Sequence, residues 1–250
     1  MTTAIAPRVP SLRPHGAAPP HRSYAHAHWY FLALFAVILV GFWPSFTRPV
    51  HGRTFWGSLH GLTASLWYVG LITQSWLMSR GQVVGHRRVA RGMVLVLLPM
   101  FCISALVAIR VLLGATEAGP IARFRPQIAF GDFIGIGEII TLVALGLRNR
   151  QTPPAHQRYM AATGLVGLPP ALFRLYNTLH FHIRWLNPLA QTRASLQLVL
   201  LILIAVDWKI GERRRWAYPL LLGTTVVAQI SSAMFASKGW WLAFCRWYAA

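Results

Sequence analysis

The chain has 250 residues, of which 55% are hydrophobic and 12% charged, and its mean hydropathy is +0.47. A soluble globular domain carries about twice this share of charged residues, so the composition indicates a polytopic membrane protein. The net charge of +19 comes largely from arginines between apolar segments, where they set topology and meet anionic lipid headgroups, and nucleic-acid binding is therefore discounted.

Seven apolar segments follow one another along the chain. Each is close to the ~20 residues that cross a hydrocarbon core of ~30 Å as a helix, and lipid excludes irregular backbone. The fold class is thus all-α, a polytopic membrane bundle of seven transmembrane helices (29–236), between a flexible basic tail (1–28) and an aromatic C-terminal tail (237–250). The predicted spans are 29–46, 57–78, 90–113, 127–147, 158–178, 194–210 and 217–236.

The basic residues orient this bundle. With seven spans, fourteen of the 24 Lys and Arg residues fall on the side of the N-terminus, eight fall on the opposite side, and Arg110 and Arg174 lie within spans. By the positive-inside rule, the N-terminus is cytoplasmic and the C-terminus lies outside. No small-residue cleavage site follows the first span, which we interpret as a retained anchor.

Polar residues recur along one face of the second span. His60, Trp67 and Gln74 lie seven residues apart, with Thr63 and Gly70 on the same stripe. Because lipid is the wrong solvent for such a stripe, we expect it to face the bundle interior. Interhelical packing is the favoured role for Gln74 and its small neighbours, while His60 stays open between packing and ligation.

Two cytoplasmic segments resemble each other, GHRRVARGM before the third span and AHQRYMAATG before the fifth. Each places a histidine two residues before an arginine, His86 before Arg88 and His156 before Arg158. Arginine at a cytoplasmic helix start reaches lipid phosphate, so Arg87, Arg88 and Arg158 are predicted to bind lipid headgroups. For the two histidines, an interfacial role without a ligand and a binding role both stay open.

Two of the five acidic residues, Asp132 and Glu138, lie inside the fourth span. At a helical rise of about 1.5 Å per residue, Asp132 lies ~7–8 Å below the outer boundary, and Arg174 of the fifth span lies at nearly the same depth. Either charge would be strongly unfavourable without a partner. We therefore predict that Asp132 bonds Arg174.

Glu138 lies near the midplane, at the depth of Pro169 and Pro170. The prolines remove amide donors, so the fifth span is expected to kink and to free carbonyls to which a protonated Glu138 would donate. The alternative is a hydrogen-bonding staple between closely packed, glycine-lined helices. The cavity above Glu138 is expected to open outward and to be lined by Cys102, Thr224, Thr225, Gln229, Ser231 and Ser232.

The candidate metal ligands lie at the outer ends of the spans. His60, Asp132, His180 and His182 supply the imidazoles and the carboxylate that Zn, Cu or Fe would take. No H-x3-H or H-E-x-x-H pair accompanies them. A hydrogen-bonded outer cap without a ligand is therefore an equal alternative.

The order of these motifs resembles a group of uncharacterised bacterial multi-pass inner-membrane proteins: HG…W…Q from His60 to Gln74, HRR…G from His86 to Gly92, and HxR-M…PA…R from His156 to Arg174. This resemblance implies a helical bundle in the inner membrane and no specific activity. The chain is also distantly similar to the histidine-bearing helices of cytochrome b561-type proteins, which implies b-type haem between paired histidines. His156 and His180 are 24 residues apart, which is ~36 Å as a helix, so two stacked haems are disfavoured.

Three functions are compatible with these residues. A redox-type module would hold haem, a transition metal or a small ligand in an outer pocket. A small-molecule or proton-coupled transporter would use Glu138 and Arg174 in a broken-helix cavity. An accessory subunit of a membrane complex would use its polar interior only for structure. Retinal binding is rejected because no lysine lies in the middle of a span: Lys209 is at the inner end of the sixth and Lys238 lies beyond the seventh. A hydrolase is rejected because no nucleophile, base and carboxylate set is recognisable. The predicted pocket residues are His60, Trp67, Gln74, Asp132, Glu138 and Arg174.

Overall fold

The computed structural model describes residues 26–47, 55–116, 122–184, 187–211 and 216–250. Within these ranges the chain is helical and forms no strand, which confirms the all-α class. Most of the predicted cytoplasmic tail lies outside them. The α-helices within these ranges are, in chain order, α1 (Ala27–Thr47), α2 (Phe55–Ser79), α3 (Val83–Gly92), α4 (Leu98–Gly114), α5 (Arg125–Arg148), α6 (Pro153–Val166), α7 (Leu168–Thr178), α8 (Pro188–Lys209), α9 (Ala217–Phe235) and α10 (Gly239–Ala249).

The helices vary in their capacity to cross a membrane. α2 has 25 residues, but its polar stripe lowers its hydropathy, and α6 and α7 are each shorter than a span. α1 has 21 residues and is apolar over Ala27–Trp43. Within the described residues, four helical segments are long and apolar enough to cross a membrane: Val83–Gly114, Ala122–Arg148, Pro188–Lys209 and Ala217–Phe235.

The long helices expose apolar side chains along their middle. Leu95, Ile103, Leu198 and Val227 are each more than half exposed. A water-soluble bundle has the opposite pattern, with polar side chains outside and apolar ones inside. This surface is therefore matched to lipid.

The predicted polar stripe of α2 faces the bundle interior, as expected. Thr63 and Trp67 are almost fully buried, and Gly70 lies against the Met93 side chain. The Thr63 hydroxyl lies 3.2 Å from Ser104 Oγ, so α2 and α4 meet through a polar contact inside the bundle. Thr63 and Gly70 thus pack α2 against the segment that contains Met93 and Ser104.

The predicted kink of the fifth span is confirmed, because α6 ends at Val166 and α7 begins at Leu168. The Tyr68 hydroxyl of α2 enters the break and donates to the Gly164 carbonyl oxygen at 2.7 Å. A Cβ at Gly167 would lie 2.6 Å from that hydroxyl oxygen, so a residue without a side chain is needed there. The break is therefore supported by α2 as well as by the prolines that follow it.

Two helices begin earlier than the hydropathy pattern predicts. α3 begins at Val83 and continues into α4 through a π-helical turn, Met93–Leu97. α8 begins at Pro188, where Asn187 Oδ1 accepts the Leu189 backbone N–H at 2.9 Å. An Asn cap followed by proline is a standard helix start, and it brings Arg193 into the helix.

The aromatic C-terminal residues form a helix, α10, that packs on α4 and α5. Trp241 Nε1 donates to the Pro126 carbonyl at 3.0 Å, and the Tyr248 hydroxyl donates to the Leu106 carbonyl at 3.0 Å. α10 thus lies at the end of the bundle where α5 begins, named here the Arg125 end. The opposite end, where α5 finishes, is the Arg148 end.

Candidate functional site

Four charged side chains from three helices interact electrostatically between the middle of the bundle and its Arg125 end. They are Asp132 and Glu138 of α5, Arg174 of α7 and Arg193 of α8, and together they form the charged cluster. Asp132 interacts electrostatically with both guanidinium groups, and Glu138 interacts with Arg193. All four side chains are at least partly buried.

Arg174 lies near Asp132 as the depth estimate predicts, but the predicted bond between them is wrong. Arg174 Nη1 donates to the Pro170 carbonyl at 3.0 Å, and its guanidinium carbon lies 4.2 Å from the centre of the Phe42 ring. Among the described residues, the one salt bridge joins Arg158 and Asp207, so Asp132 and Arg174 do not form one. The helix break explains this, because α7 begins at Leu168 and Arg174 turns back to a carbonyl of its own first turn.

Arg193 belongs to the cluster, although the sequence interpretation placed it in a loop. Its Nη2 atom lies against Gly131, where a Cβ would come within 2.6 Å of it, and its Nη1 atom donates to the Ala228 carbonyl at 3.4 Å. Gly131 is thus the residue that leaves room for a guanidinium between α5, α8 and α9. The Asn187-Pro188 helix start was the sequence signal for including Arg193.

Glu138 faces α9 and not the helix break. Its carboxyl group lies beside the Thr224 hydroxyl, and its Oε1 atom is shielded from solvent without a hydrogen-bond partner among the described residues. The predicted bond to a carbonyl freed by the prolines is therefore wrong. Gly135, one turn earlier on α5, is the residue that contacts Val166 beside the break.

His60 lies close enough to Arg174 to interact with it electrostatically. Its ring packs 5.1 Å from the Phe101 ring, and its Nδ1 atom is buried without a hydrogen-bond partner in the part of the chain that is described. His60 is thus a neighbour of the charged cluster. Its contacts with Phe101 are ring packing and a hydrogen bond with the Phe101 backbone.

Trp67 and Gln74, the other pocket residues predicted on α2, contact different parts of the bundle. Trp67 Nε1 donates to Thr163 Oγ1 at 3.1 Å, which ties α2 to α6. Gln74 Nε2 lies 3.8 Å from Met93 Sδ, toward the Arg148 end. The structure does not bring either side chain to the charged cluster.

The predicted metal ligands are not brought together either. His180 and His182 are exposed in the loop after α7, whereas Asp132 lies inside the bundle. Among the described residues, no group of three or more His, Cys, Asp and Glu side chains converges as a metal site would require. The predicted ligands come from the ends of different helices. These ends lie at a similar depth but at different positions around the bundle axis, so the four side chains do not converge.

Residues predicted to line the cavity on α9 have separate roles. Thr225 is buried and its hydroxyl donates to the Leu221 carbonyl at 2.7 Å. Gln229 Oε1 accepts from Gln197 Nε2 at 2.9 Å, which joins α9 to α8 next to the cluster. Of the predicted lining, Thr224 is the residue that reaches Glu138.

Arg158 does not meet lipid headgroups as predicted, because it is buried near the Arg148 end. Its Nε and Nη2 atoms each donate to one Asp207 oxygen at 2.7 Å, and its Nη1 atom donates to the Pro154 carbonyl at 2.9 Å. Only 2% of the residue is exposed. Arg87 and Arg88 are exposed at the start of α3, where the predicted headgroup role stays a prediction.

Comparison with known proteins adds no relative to this description. No protein-family model, curated protein sequence or solved structure matches the chain. The charged cluster and the helices around it are therefore the basis for a function.

Proposed function

We propose that the chain is a multi-pass protein of the bacterial inner membrane that crosses the bilayer seven times and binds a small polar ligand in the charged cluster. The four long apolar segments and the exposed apolar belt support a membrane location. The distribution of arginines supports a cytoplasmic N-terminus, which makes the Arg125 end the outer one. The ligand site would then extend from the outer half of the membrane to its midplane.

One observation carries the binding proposal: the opposite charges of the cluster do not close on one another. Arg158 and Asp207 show how this same bundle builds a structural ion pair, with two contacts of 2.7 Å. Asp132, in contrast, interacts with Arg174 and Arg193 only across space. Because burying an ion without a close partner costs several kcal/mol, an open arrangement is expected where another molecule completes the bonding.

The unused hydrogen-bonding capacity indicates the ligand's chemistry. A guanidinium has five N–H donors, and Arg174 and Arg193 each use one of them on a backbone carbonyl among the described residues. A ligand with carboxylate, phosphate or carbonyl oxygens would satisfy these donors. A ligand hydroxyl or amine would donate to the carboxyl groups, including the unpartnered Oε1 of Glu138.

Native mass spectrometry of the gently solubilised full chain tests this function, with chemical extraction to identify any released molecule. We expect the wild type to retain a small organic molecule, and Arg193→Gln and Asp132→Asn to lose it. Arg123→Gln is the matched control, because Arg123 lies near the same end but is exposed and stacked on Phe124 at 4.6 Å. A wild type that carries no molecule, or carries the same one as Arg193→Gln, would refute the proposal.

Proton-coupled transport is a second candidate, favoured by the buried, unpartnered oxygen of Glu138 and by the discontinuous helix between α6 and α7. Liposomes loaded with the pH-sensitive dye pyranine test it directly. After an external acid pulse, wild-type liposomes should acidify faster than empty ones, and Glu138→Gln should abolish the difference. Acidification that is unchanged by this substitution would exclude Glu138 as the proton carrier.

A further inference from the structure

The two similar HxR segments of the sequence meet in space near the Arg148 end. His86 at the start of α3 and His156 at the start of α6 lie with their ring centres 6.2 Å apart and their planes at 76°. They are 70 residues apart in the chain, so only the fold brings them together. The charged cluster toward the opposite end does not use them.

The orientation of His156 is set by a backbone carbonyl. Its Nδ1 atom lies 2.8 Å from the Gly146 oxygen. A carbonyl can only accept a hydrogen bond, so the neutral imidazole must carry its proton on Nδ1 and present the lone pair of Nε2. This is the arrangement by which carbonyl groups orient histidines that bind metals.

Polar atoms around His86 are left without partners. His86 Nδ1 and Gln74 Oε1 are both shielded from solvent and make no hydrogen bond with described residues, although the His86 ring also forms a hydrogen bond with the Gln74 backbone. Gln74 Nε2 reaches Met93, the first residue of the π-helical turn. Such turns occur frequently at functional sites, and unpaired buried acceptors are costly unless something binds them.

The arginines nearby do not prevent a cation from binding here. Arg87, Arg88 and Arg148 are exposed, so water, salt and anionic lipid screen their charge. Arg158, two residues after His156, is neutralised by its contacts with Asp207. The electrostatic repulsion at the two imidazoles is therefore reduced and depends on salt.

We propose that His86 and His156 together bind one transition metal ion that prefers imidazole nitrogen, such as Zn²⁺ or Cu²⁺, with water completing the coordination. A metal lies about 2.0–2.1 Å from the bonded nitrogen, so two rings on one ion have centres up to roughly 6.4 Å apart. The observed separation of 6.2 Å lies close to that limit, which holds for a linear arrangement, so the two rings must approach each other by roughly 1 Å to bind one ion at a tetrahedral angle. Gln74 Oε1, which has no hydrogen-bond partner among the described residues, is an additional oxygen beside His86.

Isothermal titration of ZnCl₂ into the full chain in nanodiscs, purified with a tag that lacks histidine, tests this site. His156→Asn is the sharpest variant, because the asparagine amide nitrogen replaces Nδ1 and keeps a donor for the Gly146 carbonyl while Nε2 is removed. We expect His156→Asn and His86→Asn each to weaken Zn²⁺ binding by about tenfold or more, since orienting groups alone contribute on that scale. The exposed pair His180→Asn/His182→Asn is the control and should bind as the wild type does.

Thermal unfolding of each variant separates loss of the site from loss of the fold. A folded His156→Asn protein with wild-type Zn²⁺ affinity would overturn the proposal and leave the two rings as an aromatic packing contact only. A Soret band in the wild type that disappears in His156→Asn would also overturn it, because haem and not a hydrated ion would then lie between the histidines.

Discussion

Asp207→Asn removes the charge that neutralises Arg158 inside the bundle. Asp207 accepts two hydrogen bonds of 2.7 Å from the guanidinium, and Arg158 is only 2% exposed, so it cannot regain water without opening the helices. An asparagine in the same position would accept one of the two bonds through Oδ1. Its amide group would then point N–H donors at the N–H donors of the guanidinium.

The expected cost follows from this geometry. Breaking one partner of a buried ion pair typically costs about 3–5 kcal/mol, because the other charge is left uncompensated. Since one bond and the Pro154 carbonyl contact at 2.9 Å are kept, we expect a loss near the lower limit, about 3 kcal/mol in the free energy of unfolding. The double substitution Arg158→Met/Asp207→Leu should cost less than the single one, because it leaves no buried charge.

Reversible unfolding in mixed detergent and SDS micelles measures these free energies. Arg150→Gln is the control, because Arg150 is an exposed arginine near the same end, and it should change stability by no more than about 0.5 kcal/mol. A loss below about 1 kcal/mol for Asp207→Asn would match an exposed pair. It would refute the conclusion that this ion pair joins α6 and α8 in a buried environment.

Three further outcomes follow. Gly131→Ala should displace Arg193, because the alanine Cβ would lie 2.6 Å from Arg193 Nη2, and ligand retention in native mass spectrometry should therefore fall. Gly137→Ala is the control: its Cβ would have no neighbouring atom within 4 Å, so ligand retention should not change. Tyr68→Phe removes the hydrogen bond to the Gly164 carbonyl at the helix break and should cost about 1–3 kcal/mol in the same unfolding assay. An unaltered stability would contradict that role. Zn²⁺ affinity in the titration should rise with NaCl concentration, because salt screens the exposed arginines, and a fall would show that attraction dominates the site.

Several features of the fold are readable in the sequence because they depend on position along one helix. The inward-facing stripe of Thr63 and Trp67 follows from spacing and from the exclusion of polar groups by lipid. The break before Pro169 and Pro170 follows from the missing amide donors. Helical rise also predicts that Asp132 and Arg174 lie at a similar depth. It does not predict which atoms each side chain contacts.

The charged cluster was only partly predictable. Asp132, Glu138 and Arg174 stand out as charges within apolar spans, but Arg193 was lost when the sixth span was taken to begin one residue after it. Arg158 and Asp207 lie at one depth near the Arg148 end, as Asp132 and Arg174 do nearer the Arg125 end, so helical rise relates this pair as well. An arginine at a cytoplasmic helix start can bind lipid phosphate equally well, so the sequence does not single out Asp207 as the partner of Arg158.

The sequence alone determined that this chain is helical, how apolar its long segments are, and where along each segment its charges lie, because lipid and helical rise act on one segment at a time. Only the tertiary structure decided which helices are neighbours and how each is rotated. That choice joined Arg158 to Asp207, kept Asp132 from closing on Arg174, and brought His86 to His156. The physical reason is that a shared depth leaves the angle around the bundle axis free, and packing between helices is what removes that freedom.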